Sequence, residues 1–500
     1  MGRVVQSRHR PPSPLMPRSR LTWMGHMMLQ QAAASPPRLT KCSAHCGRSL
    51  LGATTLQWSS FSHLRVRISM HSVFLLGICT VDLLGLFVAS FASINVGCVL
   101  VFHPVIWRVW EELDSCSAAA QSFTKNTMNF TVMSYNILAQ DLLEANEDLY
   151  RHSPLRVLEW SSRCTLLVKE IQKWAPDILC LQEVQENHYN EHLHPVFAQM
   201  GYTCVYKRRT GTKTDGCAVC YRSSCFCAVS LAQLEFFKPE TELLDRHNVG
   251  IVLLLQPVVS QGSAAQVKGP ALCVANTHLL FNPRRGDVKL AQLALMLAEI
   301  DRAVKSCKAR GQHCNVILCG DFNSVPHMPL YQLITTGHLY YHGLPTWMIS
   351  GQEDLSYKTH CHRLFAPLWP SSLGITDNCQ YASMPQVEIS LMVKGHGVVT
   401  HRLDLESVYQ HVLPGSGSSE VTTLNSGGGA TVDYIFYSPQ LAFVLCAAGG
   451  EFVSRGLKLS GRLSLLSEDV LWGMNGLPND TFPSDHLCLL AQFQLDLDTV

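Results

Sequence analysis

Net charge is what this chain most plainly lacks: its 500 residues set 39 lysines and arginines against 38 aspartates and glutamates, a balance of +1. That excludes a whole-molecule field for polyanions, so any grip on a phosphate backbone must come from local basic patches. A zinc-ribbon framework is also missing. Of the 20 cysteines, Cys217 and Cys220 form a lone C-x-x-C inside a predicted strand, with no second pair at ribbon spacing. Others, such as Cys180 in DILCLQEV and Cys319 in VILCGDFN, sit in apolar runs where a reduced thiol acts as a small hydrophobe, a pattern suited to a reducing compartment. No internal repeat is apparent, which excludes a solenoid.

Acidic residues are absent from the first sixty positions, where arginines are spread among serines and prolines. A mitochondrial transit peptide is one reading, the lesser one. A solvated basic arm over 1–70 is the other, because six prolines interrupt any long amphipathic helix. Residues 71–105 form a hydrophobic segment whose apolar run, 73–102, is long enough to span a bilayer. Arg65 and Arg67 before it would keep the N-terminus cytoplasmic and send the rest across. Such a topology suits a reduced, RNA-directed enzyme poorly, and Asp82 disfavours a simple span. The expectation is a hairpin or peripheral anchor, with a cytoplasmic enzyme attached to endomembranes. The sequons at Asn129 and Asn479 offer a test of topology.

After a linker over 106–128, a domain over 129–500 is expected, with insertions or long loops at about 351–411 and 415–429. FTVMSYNIL (130–138), DILCLQEV (177–184), LCVANTHLL (272–280), NVILCGDFNS (315–324) and TVDYIFYS (431–438) read as buried strands with polar residues near one end. Leu167, Ile171 and Trp174 recur at helical spacing, as do Leu290, Leu293, Leu297 and Ile300. These patterns predict an α/β class: two packed β-sheets flanked by helices.

The strand-end residues form an oxygen-rich set: Asn136, Glu183, Asn276 to His278, Asp321 with Asn323, Asp433, and Asp485 with His486. Phosphodiester hydrolysis needs a cation on the phosphoryl oxygens, an activated water and charge stabilisation. Mg2+ requires only one or two protein carboxylates, so a sparse set of acids suffices. Singly, each residue also reads as a turn former or helix cap.

The ordered set SYN, LQEV, TH, GDFNS, DYIFYS and SDH resembles the exonuclease-endonuclease-phosphatase superfamily, the DNase I-like fold, a four-layer sandwich of two mixed sheets between helices. NILAQDLL, YKRRTGTKTDGCAVCY, THLLFNPRRGDVKLAQ, PLWPSSLGIT and NGLP narrow the resemblance to the nocturnin-related deadenylase branch and its Angel family, nearer the first Angel paralogue, over about 130–493. The resemblance implies Glu183 as the principal Mg2+ ligand, Mn2+ being a substitute, with Asn136 near the metal and phosphate. Asp321 would orient or deprotonate the attacking water, and Asn323 would hold water or phosphate in line. His486, backed by Asp433, would contact a non-bridging oxygen or aid proton transfer. His278 matches a second phosphate histidine, and Asp485 is a candidate for a second metal or for support behind the first.

Lys207, Arg208, Arg209 and Lys213 in one loop, and Arg284, Arg285 and Lys289 in another, would bind phosphate backbone without sequence choice, or be merely solvated. Deadenylase relatives set a proline where Pro283 stands against the terminal base. They also stack a phenylalanine five residues before the strand aspartate, where this chain has Gly428. Losing a ring worth about 1 to 3 kcal/mol per base weakens poly(A) preference. The Angel family also resembles enzymes that open 2′,3′-cyclic phosphates at RNA 3′ ends, and the resemblance therefore implies that chemistry level with, or slightly above, poly(A) exonuclease action. A different reading is a translation regulator that binds the cap-binding initiation factor, as some Angel proteins do through a Tyr-x4-Leu-hydrophobic motif. Here the nearest match, Tyr150 with Leu155, is followed by Arg156. DNA repair or inositol-phosphate hydrolysis on the same fold is a third reading.

Overall fold

The computed structural model describes residues 108–113, 126–261, 264–267, 269–352, 362–382, 397–440 and 456–498. The expected basic arm and hydrophobic segment lie outside them. Among the described residues no helix is long and apolar enough to cross a membrane.

Among the described residues, eighteen strands run in chain order as β1 (Trp110–Glu112), β2 (Thr127–Asn136), β3 (Ile178–Gln185), β4 (Tyr202–Arg208), β5 (Asp215–Arg222), β6 (Phe226–Glu235), β7 (Val249–Gln261), β8 (Ala264–Val267), β9 (Ala271–His278), β10 (Cys314–Asp321), β11 (His338–Tyr340), β12 (Val398–Thr400), β13 (Glu406–Ser407), β14 (Thr423–Asn425), β15 (Gly428–Ala430), β16 (Asp433–Tyr437), β17 (Lys458–Leu463) and β18 (Leu489–Asp496). One seven-stranded sheet has the order β1-β17-β18-β2-β3-β5-β4. The second runs β13-β16-β10-β9-β7-β6, with β8 beside β7. The helices used below are α1 (Trp160–Trp174) and α2 (Gly286–Ala309).

Strand side chains alternate between faces, and that alternation builds the layers. Ile317 and Cys319 of β10 join Phe130, Val132, Ile178 and Cys180 between the two sheets. Val316 and Leu318 turn the other way, onto Leu290, Leu293 and Leu297 of α2. On the outer face of the first sheet, Leu167 and Ile171 of α1 cover Met133, Leu179 and Leu181. The result is the expected four-layer α/β sandwich. Cys217 and Cys220, three apart on β5, fall on opposite faces of their sheet, Cys217 in the inter-sheet core and Cys220 under the helices, so they do not act as a pair.

The two parallel pairs place the chemistry. β2 and β3 are joined through α1, β9 and β10 through α2, as parallel strands require a crossover. Both pairs therefore end at one rim of the sandwich, where Asn136 lies opposite Gln182 and His278 opposite Asp321. Gly320 permits the second pairing: a Cβ there would fall 2.1 Å from the Thr277 carbonyl oxygen.

The sheet begins earlier than the boundary at 129. β1 lies inside the segment read as linker and pairs with β17, with Arg108 Nε donating to Ser464 O at 2.8 Å. Trp110 anchors it, its indole seated where a Cβ on Gly461 would meet it at 2.6 Å. Three residues are too few to show a period of two. Described parts of 351–411 also contain regular structure: β12 pairs with β11, and β13 forms an edge beside β16. The β14–β15 hairpin occupies the end of 415–429.

Candidate active site

Glu183 owes its position to a bulge. Leu181 pairs with Ala218 and Val184 with Gly216, so two residues of β3, Gln182 and Glu183, face one of β5. Glu183 takes a left-handed φ of 54°. Such bulges turn a side chain away from the strand's alternation, here toward the rim, where Oε2 accepts from the Ala139 backbone N–H at 3.1 Å.

Asn136 ends β2, fully buried, and its Nδ2 donates to both Glu183 Oε1 and Asp321 Oδ2 at 3.1 Å. Two carboxylates thus share one amide group. Asp321 Oδ1 accepts from the Asn323 backbone N–H at 2.9 Å, and its Oδ2 lies 3.4 Å from His278 Nε2 and 4.0 Å from His486 Nε2. Asn323, at a left-handed φ of 47°, directs Nδ2 to His278 Nε2 at 3.0 Å and Leu279 O at 3.1 Å.

Opposite stands an acid-backed imidazole. His486 Nδ1 lies 2.8 Å from Asp433 Oδ2, which also accepts from Thr422 Oγ1 at 2.6 Å. Burial pushes the Asp433 carboxyl up to about 6 despite the neighbouring imidazole. For His486 burial acts downward, but Asp433 and Asp485 outweigh it and hold the imidazole well above its ordinary value. Asp485 has its own partner, accepting from Tyr150 OH at 2.9 Å. Burial raises its carboxyl too.

The donor set fits a hard divalent cation. Ligand atoms of Glu183, His278 and Asp321 lie within 4.8 Å of one another, as do those of Asp321, Asp433 and His486. Buried Asp321 and half-buried Glu183 meet across a single neutral amide. The buried atoms Asp433 Oδ1, Asp485 Oδ1 and His278 Nδ1 have no hydrogen-bond partner. Carboxylates so gathered require a counter-charge, and a divalent cation at these oxygen donors would supply it.

Asn136, Glu183, His278, Asp321, Asn323, Asp433, Asp485 and His486 therefore meet at one place. The basic set divides. Arg209 is tied to Asp215 at 2.8 Å, with its side chain largely buried. Arg285 is engaged by Asp287 at 3.0 Å, and Arg208 pairs with Glu186 at 3.4 Å. Pro283 is half-buried and Arg284 exposed. Lys289 is fully buried, against the expectation of a backbone-binding cation, because it falls on the inward face of α2. Asn276 bridges the sheets instead of facing the rim, with Nδ2 donating to Leu181 O and Ala218 O at 2.9 Å.

Several supporting residues escaped sequence reading. Arg163 is wholly buried, and its guanidinium donates to Ile137 O at 3.0 Å, Leu138 O at 2.6 Å and Pro483 O at 3.1 Å. It thereby ties the Asn136 loop to the Ser484–His486 loop. Its signal was present: Arg163 stands on the buried Leu167–Ile171 stripe of α1. Tyr150 is buried against Asp485, so its hydroxyl serves the site and is not displayed as part of a linear motif. Asn479 is no open sequon either, since its Nδ2 donates to Gly476 O at 2.7 Å and its Oδ1 accepts two backbone N–H groups. The Gly-rich hairpin proves to be a wall of the site: Thr423 Oγ1 and the Leu424 N–H both bond Asp485 O at 2.9 Å.

The Endonuclease/Exonuclease/phosphatase family profile matches residues 133–486, which includes this constellation from Asp321 back to Asn136 and on to His486. Protein angel homolog 1 of Homo sapiens is 46% identical over 461 residues, covering 79% of this chain and 68% of its own. Protein angel homolog 2 of Homo sapiens is 48% identical over 393 residues, covering 75% of this chain and 71% of its own. Among solved structures, ANGEL2, described as a 2′,3′-cyclic phosphatase and bound to adenosine-2′,3′-vanadate, superposes with a TM-score of 0.66 at 48% identity. It covers 79% of this chain and all of its own. This chain belongs to the Angel family of the exonuclease-endonuclease-phosphatase superfamily.

Proposed function

We propose that this chain hydrolyses phosphodiesters at RNA 3′ ends, with Mg2+ as the ion and a terminal 2′,3′-cyclic phosphate as the favoured substrate. Membership of the superfamily makes it a hydrolase of phosphate esters, in a family whose enzymes depend on divalent metals. The observation that carries the finer reading is the meeting of Glu183, Asn136 and Asp321 opposite the Asp433–His486 pair. The cyclic phosphatase described for the 48% identical ANGEL2 structure supports the same end chemistry.

Glu183, with Asn136 beside it, would hold the ion, which when bound neutralises phosphoryl charge as a Lewis acid. Asp321 Oδ2 stands between the two histidines, placed to take the proton of a water attacking phosphorus. As the new P–O bond forms, the bond to one ribose oxygen breaks, and the proton taken by Asp321 returns to that oxygen, which leaves as the ribose hydroxyl. Asn323, whose N–H donates to Asp321 Oδ1 and whose Nδ2 meets His278 Nε2, keeps the Asp321 carboxylate and the His278 ring in line with the water and phosphate. His486, kept cationic by Asp433, donates Nε2–H to a non-bridging oxygen as its charge grows. Gly428 at the hairpin offers no ring to a base, which favours a reaction needing little grip on adenine.

The experiment is a paired assay of the full chain on two labelled oligonucleotides, one polyadenylated and one ending in a 2′,3′-cyclic phosphate, with Mg2+ and with chelator. The reading expects Mg2+-dependent opening of the cyclic end, faster than shortening of the poly(A) tract. Faster poly(A) shortening would assign exonuclease chemistry instead, and turnover in chelator would remove the metal from the account.

A further inference from the structure

Lys289 lies one turn into α2 with its side chain fully buried. Lysine is almost never found so unless paired. Its Nζ donates to Asn323 O at 2.7 Å and to Gln352 Oε1 at 2.5 Å. Gln352 Nε2 reaches back toward Asn323 Oδ1 at 3.4 Å. Every hydrogen-bonding group of Asn323 is therefore used: its N–H on Asp321, its carbonyl on Lys289, its Nδ2 on His278 and Leu279, and its Oδ1 on Gln352.

A non-glycine residue in the left-handed region is held there only when its surroundings over-determine it, at a cost of order 1 to 3 kcal/mol. Buried Lys289 takes the carbonyl oxygen of Asn323 and buried Gln352 its Oδ1, while His278 and Leu279 take its Nδ2 and Asp321 its N–H. Burial draws the Lys289 ammonium well below the usual lysine value. Either protonation state still offers two N–H groups to the two oxygens.

We propose that Lys289, with Gln352, is a positioning residue for the hydrolysis: it clamps the Asn323 carbonyl and so holds the Asn323 amide and the Asp321 carboxylate in reactive register. This rests on the functional reading given above. It also removes Lys289 from the phosphate-binding surface and gives it a structural reason to be lysine rather than leucine or methionine.

The test compares Lys289→Met, which keeps volume and loses both hydrogen bonds, with Lys305→Met on the same helix, a half-exposed residue paired to Asp301. On RNA ending in a 2′,3′-cyclic phosphate, Lys289→Met should lower kcat by about 10-fold or more, as small misplacements do, with KM changed by less than about 3-fold. Lys305→Met should leave both unchanged. In an Asn323→Ala background, Lys289→Met should add less than about 2-fold, because both substitutions break the same arrangement. Wild-type kcat in Lys289→Met, or a full second loss in that background, overturns the proposal. Hydrogen exchange supplies an arm independent of turnover: the segment 321–326 should exchange about 10-fold faster in Lys289→Met while 314–319 keeps its protection. Unaltered protection at 321–326 overturns the clamp even if the wild type hydrolyses no phosphodiester, whereas absence of wild-type turnover alone contradicts only the functional reading.

Discussion

His486 Nδ1 lies 2.8 Å from Asp433 Oδ2 in a buried pair, and Thr422 Oγ1 donates to the same carboxylate oxygen. That contact fixes which ring nitrogen faces the cleft. Asp433→Asn keeps the shape and removes the charge that holds the imidazole protonated. We expect kcat to fall by about 100-fold or more, in the range of general acid–base contributions, with KM changed by less than about 3-fold. Steady-state kinetics check this, and a rise in KM alone would move the pair from chemistry to binding.

The same pair predicts a pH dependence of stability. Asp433 is pushed up to about 6 and His486 well above its ordinary value. Both folded-state values exceed the unfolded ones, so the folded chain binds more protons and stability falls as pH rises. Asp433 contributes to this between about 4 and 6; the imidazole's contribution is complete below about 6.5 and is lost as pH rises through its folded value. In chelator, the unfolding free energy of the wild type minus that of Asp433→Asn/His486→Gln, from denaturant titrations, should therefore shrink from pH 6.5 to pH 9, by up to about 1.4 kcal/mol per pH unit. A difference that grows with pH would give the pair the opposite sign.

Mg2+ should raise the Tm of the wild type, because a ligand that binds only the folded state stabilises it. Glu183→Gln keeps the hydrogen bond from Ala139 within reach and loses the charge. Its Tm in chelator should lie within about 3 °C of wild type, since Glu183 is only half-buried, while the Mg2+ response disappears. Calorimetric titration gives the same comparison as a binding curve, and an undiminished Mg2+ response would place the ion elsewhere.

Arg163→Met should destabilise the domain by about 3 kcal/mol or more, because three buried carbonyls lose a charged donor. Arg163→Lys should recover part of that loss and not all, since an ammonium lacks the planar fork that spans the two loops. Denaturant unfolding in chelator measures both. Equal stability of all three proteins would mean that the loops hold themselves.

The sandwich was legible because its central strands are uniformly apolar with polar ends, as in DILCLQEV and NVILCGDFNS, and because α1 and α2 carry a clear helical period. Side chains at strand ends could be located for the same reason. What stayed hidden depends on direction and not on residue type. Nothing in the loop THLLFNPRRGDVK tells that Arg284 faces solvent while Lys289 turns inward. Nor does LQEV reveal that a bulge re-aims Glu183 away from the sheet. Arg163 is the instructive case: a charge on an apolar helical stripe is itself a sign of buried carbonyls in need of a donor. Trp110, in a strand of three residues, left no pattern to read.

The most direct test of the account is single-turnover hydrolysis of an RNA ending in a 2′,3′-cyclic phosphate, in Mg2+, by wild type, Glu183→Gln and Asp321→Asn. The account predicts turnover by the wild type and a loss of about 1,000-fold or more in each variant, each removing one charged partner of the site. Wild-type rates in either variant, with the protein folded, would contradict it.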